Sequence, residues 1–489
     1  MEVGNTITVT VSRHAWFTLG ILSSTLLTVF FSETMLLPAI PEIIQDFNIT
    51  YGTAAWIFSA YLIVAAVMTP VAGRLSDLYG KKKVLLILLA IYIAGLTAGG
   101  FADNISFLLA TRLIQGVGLA AVPAAFSLLR DTFPPAKLAI AIGVFGSAYS
   151  AGSVVGLLAG ASIIQAFGWH ATFLTIVPFS ALVTLMIARF VKENRPDQLI
   201  AKDPEIADKK RPTLSLDIKG ILALSATITS FLIALTLIQI GMSSENLPQI
   251  EVAFAASAIS LVVFVMIERR TKPPFVDLRL LRHVILLPSY LLLIATGITM
   301  FMIYPTIVQL VRSPVPVGFG GDAVAAANVQ LPFMVMFLVF AGVTPFIINK
   351  IGSVRPAIIG AIISLVGGVG LLAFHSTEFA VSANLAVIAS GLSLTNLSSW
   401  NMVVSSSPKE FTGISVGVGG LLLFIGMAIG PALAGVYMEN GGVAEGVTGS
   451  NPSPESYNMV FITAGLLSAV SLAFALMLTR RAARKAVEV

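Results

Sequence analysis

Two ionisable residues stand inside long apolar stretches of this 489-residue chain: a carboxylate, Glu33, and a guanidinium, Arg112. An ionised group withdrawn from water is costly unless it is paired or hydrated. Each should therefore face a cavity or an opposite charge. A carboxyl group that takes up and releases a proton within a cavity can exchange that proton for a cationic substrate. This is the chemistry Glu33 offers. Counted along a continuous helix from Arg13, Glu33 lies about 30 Å in, and Arg112 reaches a similar depth from the opposite direction. The expectation is that the two interact and that protonation of Glu33 weakens the pair. Plainer roles stay open: a structural or rim carboxylate, and an arginine that snorkels to the surface.

Softer candidates surround this pair. Tyr61, Gln115, Tyr304, Gln309, Asn396 and Trp400 are polar or aromatic residues within apolar runs. With Met300, Met302, Met334 and Met336 they would form an adaptable lining that holds amphipathic cations by burial and cation–π contact. At helical spacing the same residues also serve packing. Other chemistries are poorly supplied. With no cysteine there is no disulfide, thiolate metal site or thiol nucleophile. His14, His170, His283 and His375 lack ligand spacing, so no metal and no cofactor is expected. No G-x-x-x-x-G-K-[ST] loop occurs, which argues against an ATP-driven pump. An enzyme would need convergent acid, base or nucleophile sets, and the histidines have no such company.

The elements that position these residues follow from composition. Only 11% of residues are charged and 56% are hydrophobic, against roughly 25% charged in a soluble domain; mean hydropathy is +0.93. Runs such as 84–100 and 221–240 approach the ~20 residues that cross a hydrocarbon core. About fourteen spans are expected, near 14–37, 53–73, 83–101, 105–129, 138–162, 170–191, 220–241, 248–267, 284–311, 323–348, 355–374, 379–403, 411–437 and 458–479. The first is read as a spanning helix rather than a cleaved signal peptide. An even count puts both termini on one side. All Lys and Arg except Arg112 and Arg312 fall in loops and tails sharing that side, so both termini are expected to be cytoplasmic. That placement assigns the net charge of +5 to membrane orientation, with no nucleic-acid partner.

The order is six spans, two, then six. It predicts an N-terminal six-helix bundle over 1–191, a cytoplasmic linker over 192–219, two inserted helices and a second linker over 220–283, and a C-terminal six-helix bundle over 284–489. A duplicated unit of this kind builds two faces around a midplane site.

Between the second and third spans lies Gly73-Arg74-Leu75-Ser76-Asp77-Leu78-Tyr79-Gly80-Lys81-Lys82-Lys83. It resembles the signature loop of the major facilitator superfamily, G-x-L-x-D-x-x-G-[RK]-[RK]. The resemblance implies a conformational latch between the two halves, made by Gly73, Asp77, Gly80, Lys81 and Lys82, with Asp77 as its charged contact. Arg112-Leu113-Ile114-Gln115-Gly116-Val117-Gly118 is similar to the R-x-x-Q-G-x-G stretch of the family's drug exporters, where the arginine is linked to proton coupling. Gly152-Ser153-Val154-Val155-Gly156 is similar to the antiporter motif G-P-x-x-G, with Ser153 in the proline's place; Gly426 to Gly430-Pro431 is a closer match in the second half. Trp56 to Leu62 resembles the W-x-x-x-A-Y-x-L of the fourteen-helix drug:proton antiporters. In that group's first span an acid precedes a proline by nine residues, and aligning on Thr34 and Pro41 puts Ser32 at the acid position, one before Glu33.

The resemblance covers essentially the whole chain. It implies a proton-coupled exporter of amphipathic small molecules, a monomer in the cell membrane whose partners are substrate, protons and lipid. The same fold also serves importers, and exporters of an endogenous metabolite or siderophore. A channel or receptor would hardly need a duplicated unit with a latch.

Overall fold

A computed structural model of the chain describes residues 11–192, 217–240, 246–271, 283–407, 412–440 and 452–487. Most of the expected 192–219 linker, most of the second linker and most of the segment between the last two expected spans lie outside the described residues. So does the side chain of Asp77.

Sixteen α-helices make up fourteen candidate spans among the described residues. The first span is α1 (Arg13–Thr34), a 3-10 turn (Leu37–Ala39) and α2 (Ile40–Phe47). It is followed by α3 (Tyr51–Tyr79) and α4 (Lys81–Gly99). A fourth span combines α5 (Ile105–Gly116), a 3-10 turn (Val117–Ala120) and α6 (Ala121–Thr132). Next come α7 (Pro135–Phe167) and α8 (His170–Phe190). The inserted pair is α9 (Ile218–Ile240) and α10 (Leu247–Arg270). The second half holds α11 (Leu286–Arg312), α12 (Ala323–Ile351), α13 (Val354–Ala373), α14 (Glu378–Ser406), α15 (Thr412–Asn440) and α16 (Pro454–Val487). The result is two six-helix bundles with two helices inserted between them. Fourteen spans bring the start of α1 and the end of α16 to one end of the bundle, called proximal below; the other end is distal.

Local chemistry sets the helix boundaries. The side chains of Ser12, Thr50, Asn104, Asp322 and Thr377 each accept a backbone N–H in the first turn of the helix that follows, the usual N-cap bond. Gly80, at φ 99°, turns the chain from α3 into α4 in one residue, a left-handed conformation that favours glycine. The continuous first helix expected from the apolar run is not what forms. Its α-helical part stops at Thr34, because Pro38 and Pro41 have no N–H to continue the ladder, and the span bends through its 3-10 turn. Glu33 therefore sits on the last turn before a bend.

Helix packing repeats in the two halves. α1 packs along α7, and α11 packs along α15. In the first half a Cβ on Gly152 or Gly156 would strike the backbone oxygen of Leu27 or Phe31; one on Gly160 would lie 2.6 Å from that of Met35. In the second, Gly426 meets the Ile294 oxygen in the same way, and a Cβ on Gly430 would lie 2.7 Å from that of Ile298. Small residues at successive turns let two backbones touch where lipid supplies no hydrophobic drive. The match fixes a register between the halves: Leu27 with Ile294, Phe31 with Ile298, and hence Glu33 with Met300. α3 against α15 and α7 against α12 join the halves. α11 is buried along most of its length, whereas α10 turns residues such as Val252, Ile259 and Val262 outward, as a lipid-facing helix does.

Candidate functional site

The buried charge gathers where α1, α3, α4 and α5 meet. Arg112 is fully buried, and Glu33 is 2% exposed. From α5, the Arg112 side chain donates through Nε to the Ile57 carbonyl of α3 at 3.1 Å and through Nη1 to Gln115 Oε1 at 2.8 Å. Its guanidinium carbon stands 4.4 Å from the centre of the Tyr61 ring, so a π face replaces part of the water it gave up. Gln115 in turn donates to the Gly95 carbonyl of α4 at 2.9 Å. Gly116 lies against the Tyr61 carbonyl and Gly118 against the Tyr92 ring, each too close for a Cβ. The R-x-x-Q-G-x-G stretch is thus a three-helix junction, with a buried cation as its polar part and glycines where neighbours press in.

Glu33 shares this region without bonding to it. Neither of its carboxyl oxygens has a hydrogen-bond partner among the described residues, and the expected ion pair with Arg112 does not form. The reason is geometric. Two of the guanidinium nitrogens are engaged by Ile57 and Gln115 and its face lies over Tyr61, while Nη2, like the Glu33 oxygens, is buried without a hydrogen-bond partner among the described residues. Coupling acts through space: Arg112, Tyr61, Tyr92, Tyr149 and Tyr304 all lie within electrostatic reach of Glu33. Ser32, at the family's acid position, is also buried and takes the Tyr92 hydroxyl at 2.6 Å.

An aromatic series runs from this charge across the seam between the halves. Phe30 of α1 meets Tyr149 of α7 at 4.2 Å between ring centres, and Tyr149 faces Phe337 of α12 at 6.3 Å. Phe337 stacks on Phe333, which meets Tyr304 of α11 at 5.0 Å. The Tyr304 hydroxyl donates to the Met334 sulfur at 3.6 Å. Thus Tyr61, Gln115 and Tyr304 come together around Glu33 and Arg112. Gln309 is buried further along α11 toward the distal end, its Oε1 without a hydrogen bond among the described residues. Asn396 and Trp400 are half-buried on α14; Trp400 lies against Gly419 of α15 toward the proximal end, away from the charge. The sequence reading missed Tyr92, Tyr149, Phe30, Phe333 and Phe337. Only the tyrosines, with a hydroxyl to satisfy in apolar surroundings, carried a usable signal.

At the start of α4, Lys81 pairs with Asp131 at the end of α6, and Lys82 donates to the Ala188 carbonyl near the end of α8 at 2.8 Å. Both of these contacts stay within the first half. Gly73 has open space around its Cβ position.

Two six-helix bundles, with a buried charge in one and an aromatic series crossing to the other, have the architecture of a polytopic transporter. The sequence model of the Major Facilitator Superfamily matches residues 22–331, and the chain belongs to that family. It is 26% identical over 86% of its length to the tetracenomycin C resistance and export protein of Streptomyces glaucescens, covering 76% of that protein. To the multidrug efflux pump LfrA of Mycolicibacterium smegmatis it is 25% identical over 89%, covering 84%. Among solved structures it matches the human organic anion transporter MFSD10 with a TM-score of 0.61 at 17% identity, covering 93% of this chain and 99% of the other. The nucleoside transporter NupG matches with a TM-score of 0.62 at 13% identity, over 95% and 99%.

Proposed function

We propose that the protein exports amphipathic small molecules in exchange for protons by alternating access, with Glu33 as the proton carrier and Arg112 as the fixed charge that senses it. The observation that carries this reading is Glu33 itself: buried, with no hydrogen-bond partner, in the field of a buried guanidinium. An ionised carboxylate in such a place lacks the donors that would stabilise it. Proton uptake removes its charge and with it the attraction to Arg112; a cationic substrate drawn to the same carboxylate competes with the proton. The aromatic series offers flat apolar faces beside that charge. The names of the relatives in Streptomyces and Mycolicibacterium agree with export and a broad substrate range.

In this reading the proximal end is cytoplasmic, because it carries nearly all the basic residues. The chain works as a monomer in the cell membrane, Asp77 contributes the charged contact of the latch loop, and Gln309, Asn396 and Trp400 line the path toward and away from the site.

The test is transport of a panel of amphipathic cations by proteoliposomes under an imposed pH gradient. The wild type should accumulate at least one cation against its gradient. Glu33→Gln should lose the response to the proton gradient while still exchanging substrate down its own. A Glu33→Gln protein that pumps protons normally would overturn the scheme.

A further inference from the structure

Among the described residues, the hydrogen bonds that join the two halves gather toward the distal end. Gly52 N–H donates to Glu439 at 2.8 Å, Ser59 to the Ala428 carbonyl at 2.8 Å, and Gln165 to Asp322 at 2.9 Å. One contact differs from these in kind. Arg312, in the last turn of α11, crosses from the second half to the first. Its Nη1 donates to the Pro38 carbonyl at 2.7 Å and pairs with the Glu42 carboxylate.

Arg312 is the single Lys or Arg in the segments that join spans at this end. Its backbone is held in place. Past it the chain folds back so that Gly321 N–H donates to the Val311 carbonyl at 2.9 Å and Gly320 N–H to the Ser313 carbonyl at 2.8 Å. The Ser313 hydroxyl lies 3.0 Å from the Tyr457 hydroxyl of α16.

Both groups that Arg312 grips belong to the bend of the first span. Pro38 lies in the 3-10 turn and Glu42 in the first turn of α2. The bend begins directly after the helical turn that carries Glu33. From this geometry we propose that Arg312 is a positioning residue. It clasps the α1–α2 bend to the second half, holds the outer face shut, and ties opening of that face to the segment bearing Glu33. The clasp and the carboxylate share one stiff piece of chain, so the bend cannot swing away from α11 without moving the last turn of α1. Both contacts leave a single guanidinium nitrogen, Nη1, so one donor group holds a carbonyl and a carboxylate at once.

The word outer rests on the orientation given above; the clasp itself does not. The absence of native cysteine makes a direct test simple. Thr306 is fully buried on α11, below Arg312 and facing Tyr51 of the first half, and Thr306→Cys places a thiol beneath the clasp. A membrane-impermeant maleimide added to the outside of whole cells should label it slowly. Adding Arg312→Gln or Glu42→Gln should raise the rate roughly tenfold, the shift expected on losing a hydrogen bond to a charged group. The exchanged pair Arg312→Glu with Glu42→Arg should return the rate toward that of the parent, which a merely structural role would not do. Arg312→Lys, which keeps the charge and perturbs folding least, should fall between. Unchanged labelling in both neutral variants, or an exchanged pair as fast as either of them, overturns the clasp. Acceleration confined to inside-out vesicles would overturn the orientation while leaving the clasp standing. Because labelling requires no transport, failure of the proton-exchange reading would not disguise either result.

Discussion

The two halves solve one packing problem identically and one chemical problem differently. In each, a glycine-lined helix lies backbone to backbone on the first helix of its bundle: α7 on α1, and α15 on α11. The register carries Glu33 onto Met300. Around Glu33 stand Arg112 and its junction of α3, α4 and α5; around Met300 stand Phe301, Tyr304 and Met334, with Gln330 donating to the Tyr304 carbonyl. Helix packing therefore does not require the buried charge, since the second half packs the same way without it. Ionisable chemistry is concentrated in one bundle, and the other supplies a neutral, aromatic and thioether surface.

The largest effect should come from removing the charge that only the first half has. Arg112→Gln is expected to reduce transport to background, with the protein still inserted and monodisperse by fluorescence-detected chromatography. Gln330→Leu, which breaks the second half's polar bond, should retain transport. Equal losses in the two variants would erase the contrast. Next is the shared feature. Gly156→Leu and Gly430→Leu each drive a side chain into backbone that cannot yield, and each should cost roughly 3 kcal/mol by thermal unfolding in detergent, at the upper end of overpacking penalties. A large disparity between them would show that the halves are not packed alike. The smallest step beyond Glu33→Met alone should be seen on exchanging the two equivalent positions. Glu33→Met with Met300→Glu is expected to stay uncoupled from the proton gradient, because no second-half arginine faces position 300. Coupling restored by the exchange would mean that an acid at this depth suffices in either bundle.

Much of this was legible in the sequence for a simple reason: lipid demands long uninterrupted apolar helices, and charge within them stands out. All fourteen spans follow from that rule, as do Glu33 and Arg112 as exceptional residues. What hydropathy does not encode is direction around a helix axis. Counting rises placed Glu33 and Arg112 at a common depth, yet said nothing about whether their side chains point at each other. The count also assumed a continuous helix, whereas Pro38 and Pro41 end the α-helical ladder one residue past Glu33. Phe30, Phe333 and Phe337 were invisible because a phenylalanine facing the seam and one facing lipid read alike. Arg312 was conspicuous as a base on the wrong side of the charge pattern, while its partner Glu42 lies in a distant part of the chain and no local signal links them. The glycines were visible, but only the structure shows that they meet backbone.

The inserted pair has a mechanical consequence. α9 touches α3 of one bundle and α15 of the other, and Trp56 of α3 donates its indole N–H to the Thr236 hydroxyl of α9 at 2.6 Å. A strut resting on two bodies that tilt against each other can stay fixed to only one of them. In the alternating-access cycle proposed above, α9 must therefore slide along one of the two faces it touches, the hydrogen-bonded face of α3 or the broader face on α15. Behind it α10 turns an apolar face outward, so on that proposal the surrounding lipid bears on the same sliding contact.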